Sequence, residues 1–343
     1  MTVSQPRPPR RASRLGLYGP FVALAIALAA WSAGWWWLKS EAERGLDELA
    51  ARQVAAGGEF TWRSRSVHGY PFRLDVDFTD IAWGEPSGWA IAAPVLKSEA
   101  SAFAPSHWVA FAPDGAVFGR PVGGAVRITA KVLRASLSDQ ASHPPTLSLE
   151  GRGLAFSPAP GAAPYFLLNA AELHIHTRAG PADQGAFLVE LDRATPKADS
   201  ALDRMAVGKS VTLVADGIYS HAAGFAGPTW ARAVDAWSAA GGRLELRRLR
   251  LAAGEAALDA HGDGLTVTND GRLDGMLDAS VRQGDRMLTA LAQSGVVDPA
   301  AARMAEAVLQ AAPAGGAGHT TLTFQAGRTT VGPVALGPAP KVY

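Results

Sequence analysis

The chain has 343 residues, enough for one or two domains, and its 48% hydrophobic against 18% charged content excludes a disordered polymer. Lys and Arg total 32 against 31 Asp and Glu, so the formal charge of +1 offers no basic excess for nucleic acid. The absence of cysteine excludes disulfides, thiolate metal sites, a Cys nucleophile and a lipid-modified Cys anchor.

Positions 1–14 carry Arg7, Arg10, Arg11 and Arg14 and no acidic residue. From Leu15 to Leu38 there are 24 residues without a charge, closed by Lys39 and Glu41. As a helix this run covers about 36 Å, enough for a hydrocarbon core of about 30 Å. Trp31, Trp35, Trp36 and Trp37 gather at its far end, where amphipathic rings favour the lipid–water boundary. The positive-inside rule puts 1–14 in the cytoplasm as an Arg-rich tail, 15–38 in the membrane and the remainder outside it. A signal peptide cleaved near Ala27-Leu28-Ala29 is the rival reading. The run is long for a signal segment and continues into four tryptophans that a mature soluble protein would expose, so a retained anchor is expected. Beyond the tail, 28 basic residues face 31 acidic ones, a net charge of −3 that gives polyanions no electrostatic hold. An exported, cysteine-free chain on an uncleaved helix fits a bacterial periplasm, which predicts a single-pass inner-membrane protein.

Residues 39–58 read as a helical stalk, with Leu46, Leu49 and Val54 near helical spacing and Gly57-Gly58 as the stop. The rest, 59–343, reads as a β-rich domain, with a possible sub-boundary at 157–164. In Phe72 to Thr79 apolar and polar residues alternate without a fault, the mark of a strand with one buried and one wet face. The same alternation runs through 126–132. Leu147 and Leu149 lead into a predicted turn at Gly151-Arg152-Gly153, followed by Leu154 and Phe156. It resumes at 172–176, 243–247 and 321–325, and Asn269-Asp270-Gly271 predicts a hairpin. Three helices are predicted: one opened by Pro228-Thr229 with Trp230, Val234 and Trp237 on one face, one over 285–294, and one capped by Asp298-Pro299. The last two form a helical hairpin between strands. The fold class is therefore mainly antiparallel β with a few helices, preceded by one transmembrane helix.

Chemistry-bearing motifs are few. On a strand, His174 and His176 share a face with Glu172 and would suit zinc, but Arg178 continues the row and repels a cation, so a solvated polar face is expected. Asp75 and Asp77 share a face beside Arg73 and read as a solvent-facing row. Arg243, Arg247, Arg248 and Arg250 suit lipid phosphates, or form the wet side of a strand beside Glu245. Nucleophile elbows, metalloprotease helices and phosphate-cradling loops are missing from the sequence. No catalytic, cofactor-binding or metal residue is assigned, and no cofactor is expected.

The block Gly69-Tyr70-Pro71-Phe72-Arg73, following an N-terminal membrane helix, resembles the bacterial family known as domain of unknown function 2125. The C-terminal part is similar too, through Gly275-Met276-Leu277, Phe324-Gln325-Ala326-Gly327 and Leu336-Gly337-Pro338-Ala339-Pro340. The resemblance covers roughly 45–340 and implies a Gram-negative envelope protein; it brings no established activity and transfers no catalytic residue. Over 243–281 the chain also resembles AsmA-type envelope proteins, whose β-grooves are thought to shield lipid chains.

The expected function is non-enzymatic: lipid acyl chains or an envelope protein bound along an apolar sheet face left uncovered by too few helices. A structural adaptor, with Tyr70, Trp83, Trp89 and Trp108 as anchors, is the alternative, and a metal-dependent envelope hydrolase comes third. The Gly69–Arg73 block is expected to be structural, turning the chain so that Phe72 starts an inward row with Leu74, Val76 and Phe78. On that reading Tyr70→Ala costs about 3–5 kcal/mol and Arg73→Ala stays within about 0.5 kcal/mol.

Overall fold

The computed structural model describes residues 15–311 and 318–343. The tail expected at 1–14 lies outside the described residues.

Helix α1, Leu15–Ala55, is unbroken through the apolar run and the charged segment after it. The chain then enters β1 (Glu59–Thr61), β2 (Ser64–His68), β3 (Arg73–Gly84) and β4 (Ala90–Ser101). Next come β5 (Ala104–Phe111), β6 (Ala116–Gly119), β7 (Val126–Thr129) and β8 (Val132–Ser138). Longer strands follow: β9 (Thr146–Pro158), β10 (Leu167–Ala179) and β11 (Gly185–Pro196), then helix α2 (Ala201–Ala206) and β12 (Val211–Tyr219). Helix α3 (Trp230–Ala239) leads to β13 (Leu244–Ala253), β14 (Ala256–Val267) and β15 (Leu273–Arg282). Helices α4 (Gly284–Gln293) and α5 (Pro299–Ala311) precede β16 (Gly318–Gln325), β17 (Arg328–Val331) and β18 (Val334–Pro338).

The 18 strands among the described residues belong to one sheet, and every pairing in it is antiparallel. Its topology is a meander. β1 and β2 lie along the two ends of β3, β5 and β6 along the two ends of β4, and β8 and β7 along the two ends of β9. From β9 to β18 each strand pairs with the next in sequence. No second sheet packs on this one among the described residues, so the structure is not a sandwich.

Alternation explains why a single sheet forms. Following the register, Ala135, Leu149, Ile175, Val189, Ala215, Leu249, Ala260 and Ala279 stand side by side on one face. One position along, Arg134, Glu150, His174, Glu190, Val214, Arg250 and Asp259 lie on the other, polar at every strand but β12. A period of two therefore sends an apolar row and a mostly polar row across β8 to β14.

Two readings of the sequence need correction. The alternating stretch 126–132 is not one strand: Ala130-Lys131 interrupts it between β7 and β8. Gly151-Arg152-Gly153 is not a turn but the interior of β9, with Gly153 at φ +60°. There β9 passes from β8, paired up to Arg152, to β7, paired from Ala155. A glycine inside an alternating segment marks a local break in the ladder as readily as it marks a turn.

The helices form largely as expected. Thr229 caps α3, Asp298 Oδ1 accepts the Ala300 and Ala301 N–H groups at 2.8 and 3.1 Å, and α4 packs against α5. Helix α2, opened by Ser200 accepting from the Asp203 N–H, was not among the predicted elements.

Candidate functional site

The apolar face is covered in four places, one of them at β16–β18, where α5 packs Ala302 and Ala305 on Val334. Helix α1 lies along β3, its Trp31, Trp35, Leu38, Ala42 and Leu46 packed on Leu74, Val76 and Phe78. The Trp31 and Trp35 indoles donate to the Pro71 and Arg73 carbonyls at 3.0 and 2.8 Å, and Gln53 Nε2 donates to the Gly84 carbonyl at 2.8 Å. About 33 Å of helix between Trp31 and Gln53 thus matches the length of β3. Helices α2 and α4 cover the ends of β9–β14 through Met205, Ala206, Met287, Ala290 and Leu291 against Leu154, Ala170, Ala194, Val211 and Ala253. At the opposite end of β12–β15, α3 seals Val234 and Trp237 against Val267, with Tyr219, Phe225, Leu244 and Leu273 around them.

Between these covers the face stays partly open. Leu149, Ile175, Val189, Ala215 and Leu249 are all half-buried, and Leu147 is exposed. Next to them, beneath α3, lies a cavity of about 710 Å³. Ile175, Phe187, Tyr219, Phe225, Trp237 and Leu265 line it on the sheet and helix sides, and Pro144-Pro145 with Val342 form its rim. Trp230 stands at the edge, its indole donating to the Val342 carbonyl at 2.9 Å. Burial pushes the Tyr219 phenol up, so the hydroxyl stays neutral. The walls carry no carboxylate, lysine or arginine. Its polar groups are His143 at one edge and the Thr177, Tyr219 and Thr266 hydroxyls, and the rest of the lining can hold hydrocarbon.

The motifs singled out in the sequence lie elsewhere, on the polar face. His174 and His176 stack with ring centres 6.1 Å apart and turn to different partners. His174 Nε2 meets Glu172 Oε2 at 3.2 Å and His176 Nδ1 meets Ser148 Oγ at 2.9 Å. That hydrogen bond from His174 holds Glu172 below the usual carboxylate range. Among the described residues no three His, Asp or Glu side chains converge as a metal site. His68 reaches Asp77 at 3.2 Å and Asp75 at 3.7 Å, and Arg73 pairs with Asp75 and Glu99.

The Arg243–Arg250 cluster is divided. Arg247 pairs with Glu245 at 3.3 Å and Arg250 with Asp259 at 3.5 Å. Arg247 and Arg248 border a depression of about 510 Å³ whose other walls include Asp259, Asp278, His261 and His319. Mixed charge there removes the single-sign field that a phosphate site would need.

The proposed adaptor anchors are also placed. Trp108 is packed into the core under α1, Trp89 stacks on Phe118, and Trp83 on β3 stands opposite Phe60 on β1. Tyr70 is half exposed. Its ring stands edge-on to Trp35 and its hydroxyl meets Ser32 Oγ at 2.8 Å. Phe72 is 61% exposed and does not enter the core as expected; it stacks on Phe103 beyond the end of the sheet.

The cavity was missed because its walls are far apart in sequence. The signal that reached it was the Trp230, Val234, Trp237 spacing; Phe187 and Tyr219 look like any other strand residues.

A family model described as an uncharacterized protein conserved in bacteria, DUF2125, matches residues 35–340. The chain belongs to this family. No curated protein and no solved structure matches, so the likeness to AsmA-type proteins over 243–281 gains no support from them. The matched span of this DUF2125 member begins at Trp35, where α1 meets the sheet, and includes every strand.

Proposed function

We propose that this DUF2125 protein is a non-enzymatic holder of lipid acyl chains, bound to the inner membrane by α1 with its sheet in the periplasm. The observation that carries the reading is the cavity of about 710 Å³ beneath α3, which falls in the size range of small-molecule sites and continues into the open apolar row. Filling it removes apolar surface from water at about 25 cal/mol per Å². The anchoring half rests on a helix long and apolar enough to cross a membrane and on four arginines before it. Orientation follows from the positive-inside rule.

Photo-crosslinking tests the binding half. The full-length protein in mixed micelles is exposed to a fatty acid bearing a terminal diazirine, and adducts are mapped by peptide mass spectrometry. Adducts on Phe187, Phe225 or Leu265 support the reading. Adducts confined to α1, with none on the sheet, contradict it and leave the adaptor role as the better account.

A further inference from the structure

Where the sheet meets α1, the membrane boundary is over-determined. The uncharged run extends to Leu38, yet the sheet already grips the helix at Trp31 and Trp35, and Trp35 is only 4% exposed. Just 16 residues, Leu15 to Ala30, precede the first of these contacts. They make about 24 Å of helix, short of a hydrocarbon core of about 30 Å. A span of about 20 residues counted from Leu15 ends near Gly34, between the two gripped tryptophans. The hairpin tips that touch Trp31 therefore stand at the same depth as the lipid boundary.

What stands there is aromatic and unburied. The β2–β3 tip carries Tyr70 and Phe72, and the tight β4–β5 turn, closed by Ser101 opposite Ala104, carries Phe103 at 71% exposure. Phe103 stacks on Trp31 at 5.0 Å and on Phe72 at 6.3 Å, and Trp36 and Trp37 remain open on the helix beside them. Two adjacent hairpins presenting phenylalanine outward in water would expose a contiguous apolar patch, which monomeric soluble surfaces avoid. In the interfacial zone the same rings are favoured.

We propose that the tips 69–72 and 101–104 are a second membrane contact, inserting Phe72 and Phe103 into the outer interfacial layer of the phospholipid bilayer that α1 crosses. The inference rests on the membrane-spanning reading of α1 and is independent of the cavity. It fixes the sheet relative to the bilayer: the start of β3 lies at the lipid surface, while Val122, on the turn after β6 at the other end of β4, points away from it.

The native chain has no cysteine, so single-cysteine variants report one position each. Phe72→Cys, Phe103→Cys, Leu24→Cys and Val122→Cys are labelled with an environment-sensitive nitrobenzoxadiazole dye. The full chain is reconstituted in phosphatidylethanolamine–phosphatidylglycerol vesicles containing lipids spin-labelled at shallow or deep positions. The expected result is strong deep quenching at Leu24, strong shallow quenching with blue-shifted emission at positions 72 and 103, and none at Val122. Deep quenching at Leu24 with water-like, unquenched emission at both tips overturns the inference and leaves the spanning helix standing. Blue-shifted tips without quenching also overturn it, since a second protein copy then covers them. Loss of quenching at Leu24 overturns the spanning reading and this inference with it.

Discussion

Glu85, just past the end of β3, accepts the backbone N–H of Trp230, the first residue of α3, at 3.1 Å to each carboxylate oxygen. The two residues are 145 positions apart, and they belong to opposite ends of the sheet: Glu85 follows the end of β3, whereas α3 follows the end of β12 that corresponds to the start of β3. Strand twist accounts for the meeting. At roughly 20 to 25° per strand, the steps from β3 to β12 accumulate to nearly half a turn, which carries the far end of one strand to the near end of the other. The sheet is rolled about its apolar face.

Glu85 also places a negative charge at the N-terminus of α3, where orphan N–H groups and the helix dipole favour it. Glu85→Ala should cost about 0.5–1 kcal/mol, with Glu85→Gln intermediate. Urea unfolding of the two variants checks both magnitudes. An unchanged midpoint for Glu85→Ala would show that the contact does not help to close the roll.

Tyr70→Ala loses an edge-on aromatic pair with Trp35 and a hydrogen bond with Ser32, on a half-exposed ring. Those two contacts sum to about 1–2 kcal/mol, less than the core-residue value expected from the sequence. Arg73→Ala removes surface pairs with Asp75 and Glu99 and should stay within about 0.5 kcal/mol. Denaturant midpoints of the two variants, measured in detergent, separate a structural Tyr70 from a ligand site. A ligand site would leave both variants fully stable.

Tyr343 donates its hydroxyl to Asp235 on α3, and that hydrogen bond, with burial and the nearby negative charge, pushes the phenol up to about 12. Its folded value lies above the ordinary 10.0, so the linked stability is whole below pH 10 and disappears as pH rises toward 12. Tyrosinate absorbance, read as the difference between the native chain and Tyr343→Phe, gives the value directly. Asp235→Asn should bring it back toward 10.0 and flatten the alkaline part of the stability profile.

Membrane orientation is open to a cysteine test as well. Val122 is 85% exposed on the turn after β6. Val122→Cys should react with a membrane-impermeant maleimide in cells whose outer membrane alone has been permeabilised. Labelling only after the inner membrane is broken would place the sheet in the cytoplasm.

Much of this fold is legible in the sequence. Alternation from Leu74 to Phe78, and again through Leu173 and Ile175, identifies strands and assigns faces. Thr229 and Asp298 mark helix starts through local capping chemistry. What alternation lacks is any record of what covers a face. Phe72 has the right parity for the inward row, but it stands past the point where α1 and the sheet close over the core. Gly153 and the Ala130-Lys131 break follow from a change of pairing partner, a non-local event. The cavity is less legible still, because Phe187, Phe225 and Val342 come from a strand, a loop and the chain's last residues, which only the packing of α3 on the sheet brings together.

If the rolled sheet keeps an apolar cavity for hydrocarbon, filling that cavity must displace what it holds. Ala233 lies on α3 facing the cavity, and Ala233→Phe puts a ring into that space without adding charge. Native mass spectrometry of the full-length protein, released gently from detergent, counts the lipid that stays bound. The expected result is an adduct of lipid mass on the native chain and its loss in Ala233→Phe, with the unfolding midpoint unchanged or raised. A native chain free of lipid, or an adduct that persists undiminished in Ala233→Phe, would contradict it.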